Sequence, residues 1–539
     1  MAGSHRLSKS RFTAGLQCHK QLWWRVHEPD APELVPDAAQ QAIFDQGTRV
    51  GEVARSYVPG GALVDLPHDI FAARIAKTRK LLSRRVPAIY EATFFGGDIY
   101  AAVDILERDG DRFHLIEVKS SVRVKEEHLP DLAVQLHVLR SNGLDVSRTE
   151  LMHLNRECVY PHLEDLFVRE DVTAEVEALQ AGLPRLIAGQ LRMLAAGLPD
   201  VPIGEHCRKP HACPFLGRCW RDVPEHHVST LYRVAGSGAD LVAQGFRTIA
   251  DLLPDGLSAV QERQRRAVLT GRLVVEPGLG DALRVFHEPT AFLDFETVGP
   301  AIPAWDGCHP YEAVPVQFSC DRLAPDGAVA HHEWLADGPG DPRPELARAL
   351  VAACRGARTV VAYNAGFERG RIEMLASSVP ELAEDLLDIA ARLADLLPVV
   401  REHVYHPDFH GSFSLKSVLP ALVPPVSAVA SVERALRACS PEDTRQPLQG
   451  TPGGRAPQQH CLSRAGARLA PALKRSPSPY DDLEVAEGAT ASLALERLMF
   501  RRDAMTADER QHLRDALLRY CALDTMSMIR MLDRLRELA

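Results

Sequence analysis

The chain has 539 residues, of which 46% are hydrophobic and 25% are charged, and its formal net charge at pH 7 is −10. This length predicts several domain-sized units, and the composition is that of a globular protein. No apolar run approaches the roughly 20 residues that cross a bilayer, and the first residues lack a signal-peptide core, so we expect a cytoplasmic protein. The negative charge excludes a surface that binds polyanions throughout, but it leaves room for a local basic groove.

The 11 cysteines are odd in number, and they predict no disulfide framework in a reducing compartment. Cys207, Cys213 and Cys219 recur every six residues, whereas Cys18 lies alone near the start. Paired CxxC motifs, the usual sign of a zinc site, are missing. One early and three late thiolates suit a cubic [4Fe-4S] cluster that joins the ends of a domain. The alternatives are buried free cysteines or a zinc site with histidine ligands. The histidines close to these cysteines are His19, His206 and His211.

The segment YAAVDILERDGDRFHLIEVKSS predicts a β-hairpin with its turn at 109–110. With the turn centred there, Asp104 lies opposite Leu115, and Glu117 is its diagonal neighbour on the same face. Lys119 points the same way because strand side chains alternate. Two carboxylates and an ammonium group suit a nuclease: Asp104 and Glu117 hold Mg²⁺ or Mn²⁺, and Lys119 orients water and offsets charge. The alternative is an exposed hairpin face with an ordinary Glu–Lys pair.

This combination resembles the PD-(D/E)XK nucleases of the RecB type, particularly the iron–sulfur branch that includes the CRISPR-associated adaptation nucleases. The resemblance covers residues 8–225 and rests on Cys18, Asp104, Glu117, Lys119 and the three late cysteines. It implies a cluster that closes the nuclease domain and supports its structure without taking part in cutting.

Two further motifs of that family are matched in part. Gln135, on a predicted helix, fits the glutamine of the QxxxY motif, and Leu139 stands at the tyrosine position. The upstream acid of the family corresponds to Glu52 or to Glu91.

A second set of acids begins in EPTAFLDFETVGP, where Asp294 and Glu296 lie two apart on a predicted strand and share one face. The run VVAYNAGFERG predicts a helix start with Glu368 in its first or second turn. Tyr520 and Asp524 are four residues apart on an amphipathic helix and also share a face. Four carboxylates from a strand and two helices suit two metal ions and in-line phosphoryl displacement, with Tyr520 positioning the water. Solvated surface acids are the alternative.

These motifs resemble the DEDD-type 3′–5′ exonucleases of the tyrosine-bearing subclass, with an RNase H-like fold, over residues 288–539. Asn364 belongs to the second motif, where Glu368 stands in place of the usual aspartate. The extra methylene would shift a bound metal and so alter or abolish activity. The whole order of domains is similar to an uncharacterised bacterial family, of which the phrases GSFSLKSVLPALVP and YDDLEVAEG are typical.

Two segments have a different character. Residues 226–285 predict a small helical unit, loosely similar to helix-hairpin-helix units whose backbone amides contact DNA phosphates. Its basic residues are Arg263, Arg265 and Arg266. A helical linker that packs the domains is the alternative. Residues 427–479 are rich in Pro, Gly, Gln, Ser and Arg, and they predict a disordered insertion in an exonuclease loop or, alternatively, a sequence artefact.

The sequence therefore predicts an α/β protein with three parts: a RecB-like PD-(D/E)XK nuclease domain with an Fe–S cluster (1–225), a helical linker (226–285) and a DEDDy exonuclease-like domain (286–539). The predicted activity is metal-dependent hydrolysis of phosphodiester bonds in DNA, in repair, recombination or defence. The expected cofactors are the [4Fe-4S] cluster and Mg²⁺ or Mn²⁺. The expected partners are nucleic acid with a single-stranded end and a helicase or defence-system protein, with no membrane.

Two other classes of function remain open from sequence. One is a catalytically decayed iron–sulfur adaptor that binds nucleic acid, which the glutamate at 368 and the leucine at 139 motivate. The other is a redox protein, which we disfavour because no flavin or dinucleotide fingerprint accompanies the cysteines.

Overall fold

The computed structural model describes residues 7–423, 478, 480 and 483–539. These residues form two compact units, both of mixed α/β structure, so the predicted α/β class is confirmed. The first unit comprises the chain up to Val223 together with Gly299–Glu312, and the second comprises Pro224–Val298 and the chain from Ala313 onwards. The predicted insertion at 427–479, apart from Ser478, lies outside the described residues.

A seven-stranded sheet forms the framework of the first unit. Its strands are β1 (Leu7–Ser8), β2 (Ala62–Leu63), β3 (Ala88–Gly96), β4 (Ile99–Asp109), β5 (Arg112–Lys119), β6 (Val146–Leu154) and β7 (Phe167–Asp171). The order is β2-β3-β4-β5-β6-β7, and β1 pairs in parallel with the start of β4. Strands β3, β4 and β5 form an antiparallel meander, whereas β6 returns parallel to β5 after a helical crossover.

The helices of this unit cover the sheet and build its main core. They are α1 (Lys9–Gln17), α2 (His19–His27), α3 (Ala38–Ala54), α4 (Phe71–Ser83), α5 (Leu129–Ser141), α6 (Thr173–Gln180), α7 (Leu183–Leu194) and α8 (Leu216–Cys219). Leu132, Leu136 and Leu139 of α5 are fully buried in the cluster that also contains Val103 and Leu115 of the sheet. Helix α5 is therefore fixed on the sheet by apolar packing, and its polar residues are held in place with it.

The second unit contains a five-stranded sheet of order β11-β10-β9-β12-β13 and a separate β14-β8 pair. The strands are β8 (Val274–Val275), β9 (Thr290–Val298), β10 (Val314–Leu323), β11 (Val329–Leu335), β12 (Thr359–Ala362), β13 (Leu393–Asp395) and β14 (Val404–Tyr405). Strands β9, β10 and β11 are antiparallel, whereas β12 is parallel to β9 and β13 to β12. Pairing with β12 ends at Phe292, so Asp294 and Glu296 extend past it at the carboxyl edge of the parallel strands.

The helices of the second unit pack around this sheet. They are α9 (Ala239–Ala243), α10 (Ala259–Thr270), α11 (Leu279–Ala282), α12 (Arg343–Ala353), α13 (Gly366–Ser378), α14 (Ala383–Ala391), α15 (Leu396–His403), α16 (Leu415–Leu422), α17 (Gly488–Phe500) and α18 (Ala507–Leu538). Helix α18 begins at a capping box in which Thr506 and Glu509 satisfy each other's backbone N–H groups. None of the helices in the described ranges combines the length and the apolar character that a bilayer crossing requires.

Residues 226–285, the predicted linker, lie in the second unit and have a small apolar core of their own. The predicted helical unit contains one short helix, α9 with five residues, and one longer helix, α10 with 12 residues. Arg263 is buried; it pairs with Glu276 and donates to the backbone carbonyl of Arg401. Arg266 also pairs with Glu276. These arginines serve internal packing, which favours the packing role of this segment over a role in contacting DNA phosphates.

Candidate functional site

The β4–β5 hairpin differs from its predicted register. The pairs are Asp109 with Arg112 and Leu106 with Leu115, so the two loop residues are Gly110 and Asp111. The prediction that Asp104 lies opposite Leu115 is therefore wrong by two residues. The physical reason is that the first loop position adopts φ 63°, which glycine takes without strain, and this places Gly110 first in the loop.

The corrected register places Asp104 one residue beyond the pair of Ile105 and Ile116, next to Val118. Its Oδ2 accepts a hydrogen bond of 2.8 Å from the backbone N–H of Val118. Burial and the negative charge of Glu117 raise the pKa of Asp104 to about 7, against the opposing charge of Lys9. The carboxyl group of Asp104 therefore gains and loses its proton near neutral pH. A bound cation would take the place of that proton.

Glu117 has the opposite electrostatic environment, although it lies beside Asp104. It is 2% exposed, and it accepts hydrogen bonds from Lys119 (2.8 Å), Lys9 (2.9 Å) and Gln135 (2.7 Å). Burial alone would raise the pKa of Glu117, but the charges of Lys119 and Lys9 outweigh it and hold the pKa well below its usual range. Glu117 therefore stays ionised, and the two lysines neutralise it.

Lys9 was missed by the sequence reasoning because it lies 108 residues from its partner. The N-cap bond from Arg11 N–H to Ser8 Oγ, 3.2 Å long, starts α1 and places Lys9 at its first position. Burial would lower the pKa of Lys9, but Glu117 and Asp104 raise it above its usual range. The ExK motif therefore has a second cation that no local pattern indicates.

Lys119 and Gln135 both donate hydrogen bonds to Glu117. Lys119 also donates to Asp131 on α5, at 2.7 Å, and the carboxylates of Glu117 and Asp131 together raise its pKa against the effect of burial. Gln135 is fully buried one turn farther along the same helix. Leu139, at the place of the family's tyrosine, lies in the apolar core and does not approach the acids.

The two candidates for the upstream acid are separated by the structure. The negative charge of Glu91 contributes to the raised pKa of Asp104, and Glu91 pairs with Arg55 at 3.2 Å and with Arg74 at 3.7 Å. It adopts φ 58°, an uncommon conformation for a residue other than glycine. Glu52 is exposed and pairs with Arg49 at 3.6 Å. Glu91 is therefore the one of the two that belongs to this group of charges.

The four cysteines with distinctive spacing line one cavity of the first unit. Cys18 enters it from the junction of α1 and α2, and Cys207, Cys213 and Cys219 enter it from the segment around α8. Trp24 and Phe215 cover its apolar side, with ring centroids 5.0 Å apart. Of the three nearby histidines, His206 lines the cavity. The sequence-remote Cys18 thus reaches the three late cysteines.

The spacing of these thiols bears on what they could hold. Four sulfurs around a single zinc ion at about 2.3 Å stand roughly 3.8 Å apart by tetrahedral geometry. Among the described residues, groups of three or more possible ligands within 4.8 Å of one another contain no cysteine. The cavity therefore does not fit a compact single-ion site, whereas a larger cluster would need more widely spaced thiolates.

In the second unit, Asp294, Glu296 and Asp524 form a compact group in which ligand oxygens lie within 4.8 Å of one another. Asp294 and Glu296 come from β9, and Asp524 comes from α18. Burial and the charge of Asp524 raise the pKa of Asp294 well above its usual range and that of Glu296 to about 8. Burial also raises the pKa of Asp524 to about 6. Two buried acids and one half-buried acid, Asp294, repel one another, so a bound cation would be stabilised among them.

Glu368 lies in the first turn of α13 and is 4% exposed. Burial raises its pKa to about 7, and its charge contributes to the raised pKa values of Asp294 and Glu296, so it faces the same site. Its Oε2 is buried, and within the described part of the chain it has no hydrogen-bond partner. A buried carboxylate oxygen that accepts no hydrogen bond is expected of a metal ligand when no metal is bound. Glu368 therefore faces the same site, although its carboxylate lies outside the compact group of three.

Two residues that the sequence reasoning missed complete the site. Lys416 donates to the hydroxyl of Tyr520 at 2.8 Å, and its ammonium lies 4.6 Å from the Tyr520 ring centroid. Tyr480 donates to Oδ1 of Asp524 at 2.5 Å. Lys416 belongs to the phrase GSFSLKSVLPALVP, and Tyr480 begins the phrase YDDLEVAEG. These phrases were the only sequence signal for the two residues, and nothing in them indicated a contact with Tyr520 or Asp524.

Tyr520 and Asp524 share one face of α18, as their spacing predicts. Tyr520 is 3% exposed, and burial together with the charge of Asp524 raises its pKa above its usual range, so its hydroxyl keeps its proton. Cys521, the next residue, is buried, and its thiol lies 3.6 Å from Oδ2 of Asp294. The helix therefore places a proton donor, a thiol and a carboxylate against the end of β9.

A second group of possible ligands lies on the sheet of the first unit and consists of Glu107, Glu150 and His114. Its ligand atoms also lie within 4.8 Å of one another. Arg169 pairs with both of its carboxylates, at 2.6 Å to Glu107. The group is already neutralised by this guanidinium, so we assign it to ion pairing across strands β4 to β7.

Residues 291–414 match the family model described as "Domain of unknown function (DUF2779)". The match includes Asp294, Glu296 and Glu368, and it ends at Ser414, the N-cap of α16. Lys416, Tyr520 and Asp524 lie beyond it. No match was found among curated proteins. The DUF2779 match thus covers three of the four acids of the site and carries no activity with it.

The raised pKa values of Glu296, Glu368 and Asp524 predict a link between pH and metal affinity. Because the folded, metal-free protein holds these protons more tightly than the unfolded chain, it should lose stability as pH rises from about 4 to about 8. A bound cation competes with the same protons, so Mn²⁺ affinity should increase between pH 6 and pH 8. Titration calorimetry in buffers of different ionisation enthalpy should show proton release on Mn²⁺ binding. An affinity that does not change over this range would contradict the prediction.

Lys416 should set the pH range of this site. Its charge lowers the pKa of both Glu296 and Asp524, so Lys416→Met should move the midpoint of Mn²⁺ binding upwards by about 1 pH unit. Lys416→Arg keeps the charge and serves as the matched control, with little displacement expected. Superimposable pH profiles for the methionine variant and the unaltered protein would show that Lys416 has only a packing role.

Proposed function

We propose that this protein is a metal-dependent nuclease that hydrolyses phosphodiester bonds in DNA, with its principal active centre in the second unit. The observation that carries the proposal is the compact group of Asp294, Glu296 and Asp524, whose ligand oxygens lie within 4.8 Å. Carboxylates gathered in this way are suited to Mg²⁺ or Mn²⁺, which prefer oxygen ligands. The unpartnered buried oxygen of Glu368 supports the same use of the site.

The strand arrangement supports an RNase H-like domain with 3′–5′ exonuclease activity. The first strand, β9, is central; β10 and β11 extend the sheet antiparallel on one side, and β12 and β13 extend it parallel to β9 on the other. The acids collect at the carboxyl ends of β9 and β12, where open α/β sheets commonly bind ligands. The order of Asp294, Glu296, Glu368, Tyr520 and Asp524 along the chain supports the tyrosine-bearing DEDD subclass.

The roles of the side chains follow from their environments. A divalent cation held by Asp294, Glu296 and Asp524 would supply Lewis-acid polarisation of the phosphate and an activated water. Glu368, whose buried oxygen has no hydrogen-bond partner among the described residues, would serve as a further ligand of that cation. Tyr520 keeps its hydroxyl proton and offers it as a hydrogen-bond donor in the buried site. Lys416 contributes positive charge next to the acids.

The first unit is proposed to have a PD-(D/E)XK nuclease fold, supported by its meander, crossover helix and parallel return strand. Its acids differ from those of the second unit in charge balance. Glu117 is already paired with Lys9 and Lys119. A cation would therefore bind there with a less favourable free energy than beside the mutually repelling acids around Asp294. We therefore infer that this centre contributes less to cutting.

We further propose that Cys18, Cys207, Cys213 and Cys219 hold a [4Fe-4S] cluster with a structural role. All four line one cavity, and their thiols are too far apart for a single zinc ion. Burial raises the pKa of the Cys219 thiol, and the nearby positive charge of Lys20 opposes this rise. A cluster bound there would join α1 and α2 to the segment around α8.

The test uses anaerobically purified full-length protein and single-stranded DNA with a label at the 5′ end. We expect a ladder of shortened labelled strands with Mn²⁺, no reaction in EDTA, and protection by a blocked 3′ terminus. An RNA strand of the same sequence tests the preference for DNA. If the protein binds DNA in EDTA but does not cut it when Mn²⁺ is added, the nuclease proposal is wrong. The iron–sulfur adaptor would then be the better assignment.

A further inference from the structure

An open cavity of about 310 Å³ lies in the second unit and belongs to none of the acidic groups described above. Four segments of the chain meet there: the turn at 232–233, the residues that follow β12, helix α15, and the residues that precede α16. The side chains that matter for its chemistry are Tyr232, Arg233, Tyr363, Asn364, Arg401 and Phe413. Its volume is at the lower end of the range for small-ligand sites, roughly 300–1,000 Å³.

The lining combines aromatic rings with guanidinium groups. Arg233 is exposed and lies over the ring of Tyr232, with 5.3 Å from Cζ to the centroid. Arg401 pairs at 3.2 Å with Glu402, which is exposed, so solvent screens that pair. Among the described residues that line the cavity, none is acidic. On a chain with a net charge of −10, this is a local region of positive charge.

The walls of the cavity are held in place by neighbouring structure. The Tyr363 hydroxyl donates to the backbone carbonyl of Phe413 at 2.7 Å, and the rings of Phe413 and Tyr232 meet edge to face at 5.2 Å. The backbone N–H of Tyr232 donates to Gln264 at 2.8 Å. Arg233 adopts φ 51°, which costs energy for an arginine and is retained because its surroundings enforce it. The site is therefore built before any ligand arrives.

The cavity shares two chain segments with the acidic centre. Asn364 precedes Glu368 by four residues, and its backbone N–H donates to Asp395 at 2.9 Å, while the charge of Asp395 contributes to the raised pKa of Glu368. On the other side, Ser414 lines the cavity and caps α16, two residues before Lys416. The cavity and the acidic centre are therefore connected through the residues that follow β12 and those that precede α16.

We propose that this cavity binds one nucleotide unit of a single strand whose scissile phosphodiester lies at the acidic centre. The base stacks against Tyr232 and its aromatic neighbours, and Arg233 and Arg401 bind the phosphate. Aromatic faces accept any base, and guanidinium groups match phosphate geometry, so the subsite selects a single-stranded backbone without selecting sequence. The inference rests on the proposed function, because it is the acidic centre that gives the strand its direction.

Binding of fluorescein-labelled (dT)₁₂ in EDTA, followed by fluorescence anisotropy, tests the subsite without any cutting. Tyr232→Ala should weaken binding of (dT)₁₂ about tenfold. Tyr232→Phe should bind with the affinity of the unaltered protein, because the aromatic ring is retained. Arg233→Asn removes the charge and tolerates the left-handed backbone. It should weaken binding and reduce the slope of log affinity against log salt by about 0.7, the value for one phosphate contact on a single strand. Arg247→Ala, which changes an exposed arginine of the same segment away from the cavity, should leave affinity and slope unchanged.

The outcomes separate this inference from the proposed function. If the protein cuts DNA with Mn²⁺ but the Tyr232 and Arg233 variants bind (dT)₁₂ with the original affinity and salt slope, the subsite is refuted and the nuclease stands. If these variants lose binding while the unaltered protein never cuts, the subsite stands and the nuclease is refuted. Failure of the unaltered protein to bind (dT)₁₂ refutes the subsite.

Discussion

Replacing Asp294 with asparagine should reduce Mn²⁺-dependent shortening of DNA by about 10³-fold or more. Asp294 lies at the middle of the acidic group, where the charges of Asp524, Glu296 and Glu368 all act on it. Asparagine has nearly the same shape but removes the negative charge that a cation requires. The measurement is the initial rate of loss of full-length 5′-labelled strand at saturating Mn²⁺. Calorimetric titration of the same variant should show weakened Mn²⁺ binding.

Two control variants make this result specific. Asp281→Asn changes an exposed acid of the same unit that pairs with Arg284 at 2.8 Å, and it should keep full activity. Lys119→Ala alters the other centre and should retain most of the cutting, since we infer that the second unit carries it. If Lys119→Ala loses activity and Asp294→Asn keeps it, the principal centre lies in the first unit and our choice between the two is wrong.

The two neighbouring acids of the first unit should respond to neutralisation in opposite ways. Glu117→Gln should lower the free energy of unfolding by about 2 kcal/mol, because it leaves the half-buried ammonium groups of Lys9 and Lys119 without their shared carboxylate. Asp104→Asn should leave stability unchanged or raise it above pH 7. The pKa of Asp104 is already raised to about 7, so the neutral form is favoured, and asparagine retains an acceptor for the Val118 N–H.

Urea unfolding in EDTA, followed by tryptophan fluorescence, measures this contrast. Four of the five tryptophans, Trp23, Trp24, Trp220 and Trp305, belong to the first unit, so the signal reports mainly on it. Equal losses of stability in the two variants would contradict the assignment of Glu117 as the neutralised acid and Asp104 as the uncompensated one. A metal bound at this centre would instead make the Asp104 variant the less stable of the two in Mn²⁺.

Local patterns were sufficient where the interacting residues belong to one element. Asp294 and Glu296 share a face of β9 because strand side chains alternate, and Tyr520 and Asp524 share a face of α18 because they are one helical turn apart. The hairpin of β4 and β5 was also predictable. Its register was not, because moving the turn by a single residue changes every cross-strand pair by two positions.

Residues brought in from distant segments had no such pattern. Lys9 lies 108 residues from Glu117, and Lys416 lies 104 residues from Tyr520. A lysine in a run of polar residues has the same local appearance whether it is solvated or buried against a carboxylate. The charge balance of each centre therefore could not be predicted from the sequence. For the same reason, the sequence could not indicate which centre binds a cation more readily.

The sequence by itself determined the kinds of chemistry in this protein: an α/β chain with two separate sets of acids, an ExK lysine and four cysteines in a one-plus-three arrangement. It did so because side-chain type and short-range spacing are written directly in the chain. Only the tertiary structure decided that Lys9 neutralises Glu117, that Lys416 and Tyr480 complete the acids around Asp294, and that Tyr232 and Arg233 share a cavity with Asn364. Those contacts depend on how the chain returns through each sheet, and burial then sets which charges are compensated.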